Sequence, residues 1–463
     1  MGGEERDGFL QRIEQMERRL EELTKENVAL REENTKLRKE REEWRRGFRE
    51  RPKRRTSSAE GKREGTGRPR GRAPGHTAAH RPVPRRIDRT VDYPVPKRCE
   101  CGGEVEATPE VESTIVQDIP PVRVENVRHV AHVGRCRLCR KRVSARLPGA
   151  TAAGQNIIRV QLGANICAMA LGLRFEQHVP LAGIATVFYT WFGLTITPGG
   201  LSHMFVRLRR WSQSSHDEIV EHVRAADVLG MDETGIRQDG LGAWAWIART
   251  DTASLFRVEL SRGSWVAELM LGEGFSGVVC TDFYGVYTRR VDWAHGYCGA
   301  HLVREAKKIA EVDPGPLTER LRDGLQLWYA EADRIRVGDD EDEKRKLIGR
   351  LRYLARDPRI GKHAGVARLQ KRIRVHFDGL VRFVRNLDVE ATNNASERDI
   401  RAFAVHRRVT GGTRSAEGSA TLGHWMSITQ TLRKNRKTIH GYVVGLHAAH
   451  ARGRPPPTLW ARE

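Results

Sequence analysis

Two apolar runs that each end at an aspartate constrain the fold of this chain more than any other feature. Residues 226–234 contain a run that ends at Asp232, and residues 277–285 contain a run that ends at Asp282. Their length is that of buried strands. A third acid, Glu397, opens a helical, arginine-rich stretch. Carboxylates at strand ends, with a third from a packed helix, suit two Mg²⁺ ions in phosphodiester chemistry, although solvated carboxylates are the simpler alternative for each acid alone.

Further residues around the three acids match one family of enzymes. The matching segments are Asp-Glu-Thr at 232–234, Thr-Asp-Phe-Tyr-Gly-Val-Tyr at 281–287, Cys-Gly-Ala-His-Leu-Val-Arg at 298–304, Asn-Asn-Ala-Ser-Glu-Arg-Asp-Ile-Arg at 393–401 and Arg-Ser-Ala-Glu-Gly at 414–418. Together they resemble the catalytic core of bacterial DDE transposases, those of the insertion sequence 66 family in particular. The Asn-Asn-x-x-Glu-Arg signature is the most discriminating element, and the resemblance spans nearly the whole chain.

The resemblance implies a ribonuclease-H-like catalytic core and a DNA-cutting reaction. Asp232 is expected to bridge two Mg²⁺ or Mn²⁺ ions, with Asp282 holding one and Glu397 the other. Phosphoryl transfer depends on positioning and charge neutralisation more than on covalent help. The expected reaction cuts a strand at the transposon end, and the freed 3′-hydroxyl then attacks target DNA.

The charge and the cysteine content bear on partners and compartment. The 463 residues include 81 Lys and Arg against 59 Asp and Glu, a formal net charge of +22. Such a surplus favours a polyanion such as DNA, and a generic basic protein is the alternative. Seven cysteines, an odd number in no disulfide-like spacing, favour a reducing cytoplasm. We expect neither a signal peptide nor a membrane partner.

The N-terminal residues carry a heptad repeat that predicts a coiled coil. The two series of heptad positions are Ile13, Leu20, Asn27, Asn34 and Arg41, and Met16, Leu23, Leu30, Leu37 and Trp44. Asparagine at such core positions fixes register and favours two strands. We therefore expect a homodimer through this segment; a single solvated helix is the alternative.

Two close cysteine pairs follow a basic linker and predict a zinc-ribbon-like domain. The linker is rich in Arg, Gly, Pro and Ser, and it can contact phosphates or serve only as a spacer. Four thiolates, from Cys99, Cys101, Cys136 and Cys139, would hold a structural Zn²⁺. The first pair is Cys-x-Cys, one residue shorter than the pattern in the family it resembles. His129 and His132 are substitute ligands by spacing, or surface histidines.

A helical region and then a mixed sheet are predicted beyond the cysteines. Residues 157–211 read as helices with a glycine-rich turn near 194–200, a helix-turn-helix-like pattern that either reads DNA or only packs. The expected core elements are strands at 228–231, 243–249, 255–260 and 278–281, with a helix near 265–271. The first three strands are expected to form an antiparallel meander with the fourth beside the first. The long interval before Glu397 predicts a helical insertion at about 306–385.

Several residues near the three acids have two possible roles, one structural and one in the site. Glu233 would point away from Asp232 on a strand and is not expected to be a ligand. Asn393 and Asn394 are candidate helix caps, and Asn394 also a site-shaping residue. Cys298 and His301 are expected to be structural, with His301 a candidate DNA contact. Arg398 and Arg401 are candidate phosphate contacts, and Arg401 could instead hold the Glu397 carboxylate.

The sequence as a whole predicts a multidomain α/β protein. The expected order is a coiled coil at 8–48, a basic linker at 49–95, a zinc-ribbon-like domain at 96–148, a helical region at 155–222, a catalytic core at 225–305 and 386–445 that flanks a helical insertion at 306–385, and a tail at 446–463. The predicted function is that of an insertion-sequence transposase that binds element ends, with accessory element-encoded proteins as possible partners. The alternatives are a catalytically inactive DNA-binding regulator or element relic, and an RNA–DNA hybrid nuclease.

Overall fold

The computed structural model describes residues 82–120, 122–128, 130, 132–144 and 161–460, together with Lys25 and Glu32. The predicted coiled coil, most of the basic linker and His129 lie outside the described residues. The chain divides into two compact units, residues 1–117 and residues 118–463.

In the first unit, the described residues near the C-terminal end contain one cysteine turn. An isolated antiparallel bridge joins Arg98 to Glu104. Within it, the Gly102 N–H donates to the Cys99 carbonyl at 2.9 Å, and Gly102 has a φ of +90°. Glycine suits this left-handed conformation because it has no side chain to clash with the backbone. Cys99 and Cys101 are both exposed on this turn.

In the second unit, a small hairpin carries the other cysteine pair. Strands β1 (Val133–Arg135) and β2 (Arg142–Ser144) are antiparallel. The turn between them closes through the Arg140 N–H, which donates to the Cys136 carbonyl at 2.9 Å. Cys136 and Cys139 therefore occupy one tight turn.

Between residue 161 and the large sheet, the structure has four helices and a short π-helix. They are α1 (Ala164–Leu171), the π-helix Gly172–Glu176, α2 (Leu181–Phe192), α3 (Pro198–Trp211) and α4 (Gln213–Arg224). Helix α2 ends at Gly193, whose φ of +62° is the left-handed conformation common after a helix. Helix α3 begins after Thr197, whose hydroxyl accepts from the Gly200 N–H at 3.0 Å. The predicted pair of helices around a turn is present here.

A mixed five-stranded sheet forms the centre of the second unit. Its strands are β3 (Val228–Gln238), β4 (Leu241–Arg249), β5 (Ser254–Glu259), β6 (Val278–Thr281) and β7 (Ala294–Tyr297), in the order β5-β4-β3-β6-β7. Strands β3, β4 and β5 are antiparallel neighbours, whereas β6 pairs in parallel with both β3 and β7. The predicted meander, with the fourth strand beside the first, is confirmed. The sequence did not predict β7.

Helices α5 (Ser264–Leu271) and α6 (Gly285–Thr288) lie in the connections around β6. A helical segment then follows β7 and has its own hydrophobic core. It comprises α7 (Gly299–Val312), α8 (Pro316–Ile335), α9 (Glu341–Leu354), a 3₁₀ turn at Ile360–Lys362, α10 (Ala364–Val375) and α11 (Phe377–Arg385). Leu325, Trp328 and Phe383 are among the side chains buried in this core. The segment begins at Gly299, seven residues before the predicted start at about 306.

Three further helices complete the main core. Helix α12 (Asn394–Thr410) packs on β3 and β4, α13 (Ala416–Lys434) packs on β5, and α14 (Ile439–Ala451) packs against α1. The helices before the sheet and those after it thus share one hydrophobic core with the sheet. The mixed sheet with flanking helices agrees with the α/β prediction. Within the described part of the chain, no helix combines the length and apolarity that a membrane crossing needs.

Candidate active site

Asp232 lies inside strand β3, where the sequence predicted it to follow a shorter strand. It is opposite Ile247 of β4, and its Oδ1 accepts a hydrogen bond from the Glu233 N–H at 2.8 Å. Burial raises the pKa of Asp232 to about 7, and the negative charges of Glu233, Asp282 and Glu397 add to the increase. The carboxylates of Asp282 and Glu397 are therefore near enough to Asp232 to disfavour its charged form.

Asp282 reaches the same edge of the sheet because of the strand register. Gly230 of β3 is paired in parallel with Cys280 of β6, and each acid lies two residues beyond its member of that pair. The carboxyl ends of neighbouring parallel strands meet at one edge, which is where binding sites form in such sheets. The Tyr284 N–H donates to Asp282 Oδ1 at 2.8 Å and orients the carboxylate.

Glu397 comes from the first turn of α12 rather than from the sheet. Its side chain is one-third exposed, and its Oε1 is 3.8 Å from Nε2 of His301 in α7. Helix α12 approaches β3 closely at Gly230, where an added Cβ atom would overlap the Ser396 hydroxyl oxygen. The absence of a side chain at Gly230 thus lets the helix that carries Glu397 lie against the strand that carries Asp232.

Cys298 and His301 lie beside Glu397. Among the described residues, these three form the one group of at least three His, Cys, Asp or Glu side chains whose ligand atoms all lie within 4.8 Å of one another. Cys298 is buried, and burial raises the pKa of its thiol. His301 is half-buried, and no described residue bonds its buried Nδ1.

Glu233 is engaged by partners that the sequence did not reveal. Its Oε1 accepts from Arg262 at 2.6 and 3.0 Å, and its Oε2 accepts from the Tyr287 hydroxyl at 2.5 Å. The Arg262 guanidinium also lies over the rings of Trp244 and Tyr284, 4.3 and 3.8 Å from their centroids. Because both of its oxygens are bonded, Glu233 is poorly suited to bind a metal. The exclusion of Glu233 from the ligands stays a prediction.

The two asparagines before Glu397 were expected to cap α12, and the structure shows different contacts for the Asn393 side chain. Asn393 occupies the N-cap position of α12, but its side chain makes no capping bond. Instead, its amide Nδ2 donates to the Met231 carbonyl at 2.8 Å, and its backbone N–H donates to Cys298 Sγ at 3.1 Å. Asn394 is the first helical residue and is exposed. The capping interpretation is therefore wrong for the side chain of Asn393, because this amide bonds the neighbouring strand.

The two predicted phosphate-contacting arginines are exposed on α12. Arg398 and Arg401 both point a large part of their surface to solvent. Among the described residues, neither forms an ion pair with Glu397 within 4.0 Å. Both guanidinium groups thus remain accessible to an anion.

The carboxylates at this edge suit a hard divalent cation. Mg²⁺ and Mn²⁺ prefer carboxylate oxygens, and Asp232, Asp282 and Glu397 bring three such groups from separate elements. Burial and the neighbouring negative charges raise the pKa of Asp232, and a bound cation would offset both effects. The donor set therefore fits the metals that the sequence predicts.

Each predicted zinc-binding cysteine pair lies on a turn that stabilises a thiolate. The backbone N–H of Cys101 lowers the pKa of the Cys99 thiol, and the backbone N–H of Cys139 lowers that of Cys136. The first pair belongs to the N-terminal unit and the second to the C-terminal unit. The four-thiolate zinc site stays a prediction, and His132, which is exposed, stays an alternative ligand.

The sequence was also compared with known proteins and protein families. A model of the Transposase IS66 family matches residues 159–421, which include all three acids. The chain is also similar to an uncharacterised protein, y4jD, of Sinorhizobium fredii. The two are 22% identical over 368 residues, which cover 72% of this chain and 70% of the relative.

Proposed function

The chain belongs to the Transposase IS66 family, and we propose that it cuts and joins DNA at the ends of a bacterial insertion sequence. The observation that carries this proposal is the convergence of Asp232, Asp282 and Glu397 from β3, from the end of β6 and from α12. The sheet order, an antiparallel meander followed by two parallel strands, supports a ribonuclease-H-like core. The net charge of +22 supports DNA as the partner.

In this proposal, Asp232, Asp282 and Glu397 would hold two Mg²⁺ or Mn²⁺ ions, and the bound metal would supply charge neutralisation for phosphodiester cleavage. Asp232 and Asp282 are suited to this task because a backbone N–H fixes one oxygen of each carboxylate. This leaves the other oxygen of each for a ligand. Glu397 completes the set from the helix. Such prior orientation lowers the cost of reorganisation during the reaction.

Other residues of the chain would position the DNA relative to the three acids. Arg398 and Arg401 extend from α12 beyond Glu397 and would contact phosphates on either side of the reacting one. His301 would shape the site by its proximity to Glu397. Helices α2 and α3 would contact element-end DNA, because α3 carries basic residues and α2 leaves Tyr189 and Trp191 largely exposed.

Two further proposals concern the N-terminal part of the chain. The heptad repeat would form a homodimer, which would allow two copies to hold two element ends. A zinc ribbon formed by Cys99, Cys101, Cys136 and Cys139 would support end binding, since a bound metal can fold a domain too small for its own core. Accessory element-encoded proteins are further partners of the proposed complex.

The proposal is tested by cleavage and strand transfer on a labelled DNA fragment that carries the element's end. Wild-type protein should give products that require Mg²⁺ or Mn²⁺, and Asp282→Asn should give none while still binding the fragment. Glu259→Gln is a matched control, because Glu259 is an acid of β5 that pairs with the surface residue Arg257. Loss of activity in the control as well would contradict a specific role for Asp282.

The same assay separates the two alternative functions. An inactive regulator would bind the end but give no products, even with the accessory proteins added. An RNA–DNA hybrid nuclease would cut a hybrid of the same sequence and leave the element's end intact. Either result would overturn the proposed transposase.

A further inference from the structure

Cys298 links the end of β6 to the start of α12. It lies directly after β7, and its backbone N–H donates to the carbonyl of Thr281 at 2.9 Å. Thr281 is the residue before Asp282. On its other side, Cys298 Sγ accepts the N–H of Asn393 at 3.1 Å. One residue that lies outside the acidic triad thus bonds the backbone next to Asp282 and the backbone at the start of the Glu397 helix.

Asn393 continues this connection to the third acid. Its side-chain Nδ2 donates to the carbonyl of Met231 at 2.8 Å, and Met231 is the residue before Asp232. Its own carbonyl accepts from the Glu397 N–H at 3.1 Å in the first turn of α12. This is the first i→i−4 bond of α12, so the position of Asn393 sets where the helix begins.

The linked groups are shielded from water. Met231 and Thr281 are fully buried, and Cys298 and Asn393 are 2% and 4% exposed. A buried hydrogen bond that loses one partner leaves a polar group that water cannot reach, so its removal is costly. Three bonds tie together elements that are far apart in sequence: Cys298 to Thr281, Asn393 to Cys298, and Asn393 to Met231.

We propose that Cys298 and Asn393 are positioning residues: a buried hydrogen-bonded brace that fixes the spacing of Asp232, Asp282 and Glu397 for divalent-metal binding. This inference rests on the proposed function, since it concerns the same metal site. The brace acts through the backbone on both sides, because Thr281 and Met231 each precede an acid by one residue. Residues that orient ligands from behind change metal affinity by roughly 10–100-fold when they are replaced.

The position of Cys298 also admits a direct role as a metal ligand beside His301 and Glu397. The brace accounts better for the structure, because the sulfur already accepts the Asn393 N–H. A thiolate ligand also prefers softer metals than Mg²⁺. The two roles make different predictions for a serine replacement, since a hydroxyl can accept the same hydrogen bond but is a poor substitute for a thiolate.

The test measures Mn²⁺ binding calorimetrically in full-length protein, without DNA. Cys298→Ala and Asn393→Asp should weaken Mn²⁺ binding by roughly tenfold or more, and Cys298→Ser should recover part of that loss. Two matched controls are Cys280→Ala and Asn435→Asp. Cys280 is a buried cysteine on β6 whose thiol bonds no described residue, and Asn435 is a buried asparagine at the end of α13. Both controls should keep wild-type affinity, even where their melting temperature falls.

The outcomes separate the brace from the proposed function. If Asp282→Asn abolishes Mn²⁺ binding but folded Cys298→Ala or Asn393→Asp binds as wild type does, the brace alone is wrong. An equal loss in the controls would also refute it, because general destabilisation would then explain the effect. Failure of wild-type protein to bind Mn²⁺ at all would overturn both ideas. Thiolate-to-Co²⁺ charge-transfer absorption that disappears in Cys298→Ser would identify a ligand and refute the brace.

Discussion

Gly230 of β3 lies against Ser396 of α12 so closely that a Cβ atom at Gly230 would overlap the Ser396 hydroxyl oxygen. Ser396 is buried, and its hydroxyl has no hydrogen-bond partner among the described residues. This contact sets how near the helix with Glu397 comes to the strand with Asp232. The family signature around Glu397 therefore depends on a glycine that lies more than 160 residues earlier in the chain.

The first prediction concerns this contact. Gly230→Ala should lower the free energy of unfolding by about 1–3 kcal/mol, as overpacking of a filled interior does, and should weaken Mn²⁺ binding by moving α12. Ser396→Ala alone should be nearly neutral, because its hydroxyl is buried and unbonded. The double variant should recover much of the stability lost in Gly230→Ala. Urea unfolding of the four proteins measures the coupling, and strictly additive effects would contradict the contact.

A second prediction concerns the ion pair behind Asp232. Glu233→Ala should cost about 2–3 kcal/mol of unfolding free energy, because it removes charge-assisted hydrogen bonds from Arg262 and Tyr287 in a buried setting. Tyr287→Phe should cost about 1 kcal/mol, since Arg262 still pairs with the acid. Denaturant titration measures both changes.

The control for this pair is another glutamate that bonds an arginine. Glu259→Ala removes the more exposed pair with Arg257 and should cost less than about 1 kcal/mol. Equal losses of unfolding free energy for Glu233→Ala and Glu259→Ala would show that the burial of Glu233 adds nothing to the stability from its ion pair.

A third prediction follows from the pKa of Asp232, which burial raises to about 7. Metal binding requires the ionised carboxylate, so protons compete with Mn²⁺ below that pKa. The affinity should be about tenfold weaker at pH 6 than at pH 8, because the ionised fraction of the metal-free site falls about tenfold. Calorimetric titration with Mn²⁺ at pH 6 and pH 8 measures the two affinities. An affinity that does not change with pH would indicate that Asp232 is not a ligand or that its pKa is ordinary.

A fourth prediction concerns stability in buffer without Mg²⁺ or Mn²⁺. The pKa of Asp232 in the folded protein, about 7, lies above the ordinary aspartate value of 3.8, so the folded form binds more protons between these two pH values. Stability from this group is therefore lost as pH rises from about 4 to about 7. Asp232→Asn should stabilise the protein at pH 8, and this gain should disappear near pH 4. A gain of equal size at both pH values would contradict the assignment.

A fifth prediction concerns the cysteine turns. Wild-type protein from zinc-supplemented cells should contain about one zinc per chain, as a four-thiolate structural site requires. Cys136→Ser should lose it, because the thiol whose pKa the Cys139 N–H lowers is gone. Cys280→Ala should retain it, since Cys280 lies in the sheet. Elemental analysis measures the content, and zinc retained in Cys136→Ser would exclude that thiol as a ligand.

The sequence determined the local elements of the core well. Apolar runs bounded by turns predicted β4, β5 and β6 to within two residues, because strands buried on both faces read as continuous apolar stretches. Gly193 and Thr197 indicated the turn between α2 and α3. Gly193 adopts the left-handed conformation that ends α2, and the Thr197 hydroxyl caps the start of α3. The family signature also identified the three acids before any geometry was known.

Other features depended on contacts between distant parts of the chain. Strand β7 (Ala294–Tyr297) is four residues long and contains a histidine and a glycine, so no apolar run predicted it. It is a strand because β6 lies beside it. The extension of β3 through Asp232 to Gln238 likewise depends on pairing with β4, since its last residues alternate too irregularly to indicate a strand by themselves.

The sequence by itself predicted which acids would carry the chemistry, and the tertiary structure decided which residues hold the segments around them. The acids could be identified from their neighbours, since a strand end and a helix start are local properties. The partners of Glu233 and the links from Asn393 to Met231 and Cys298 could not be, because hydrogen bonds that join residues 95 and 162 positions apart follow only from packing. An asparagine directly before a helix suggests a cap on local grounds. Here the amide of Asn393 instead donates a hydrogen bond to the Met231 carbonyl of strand β3.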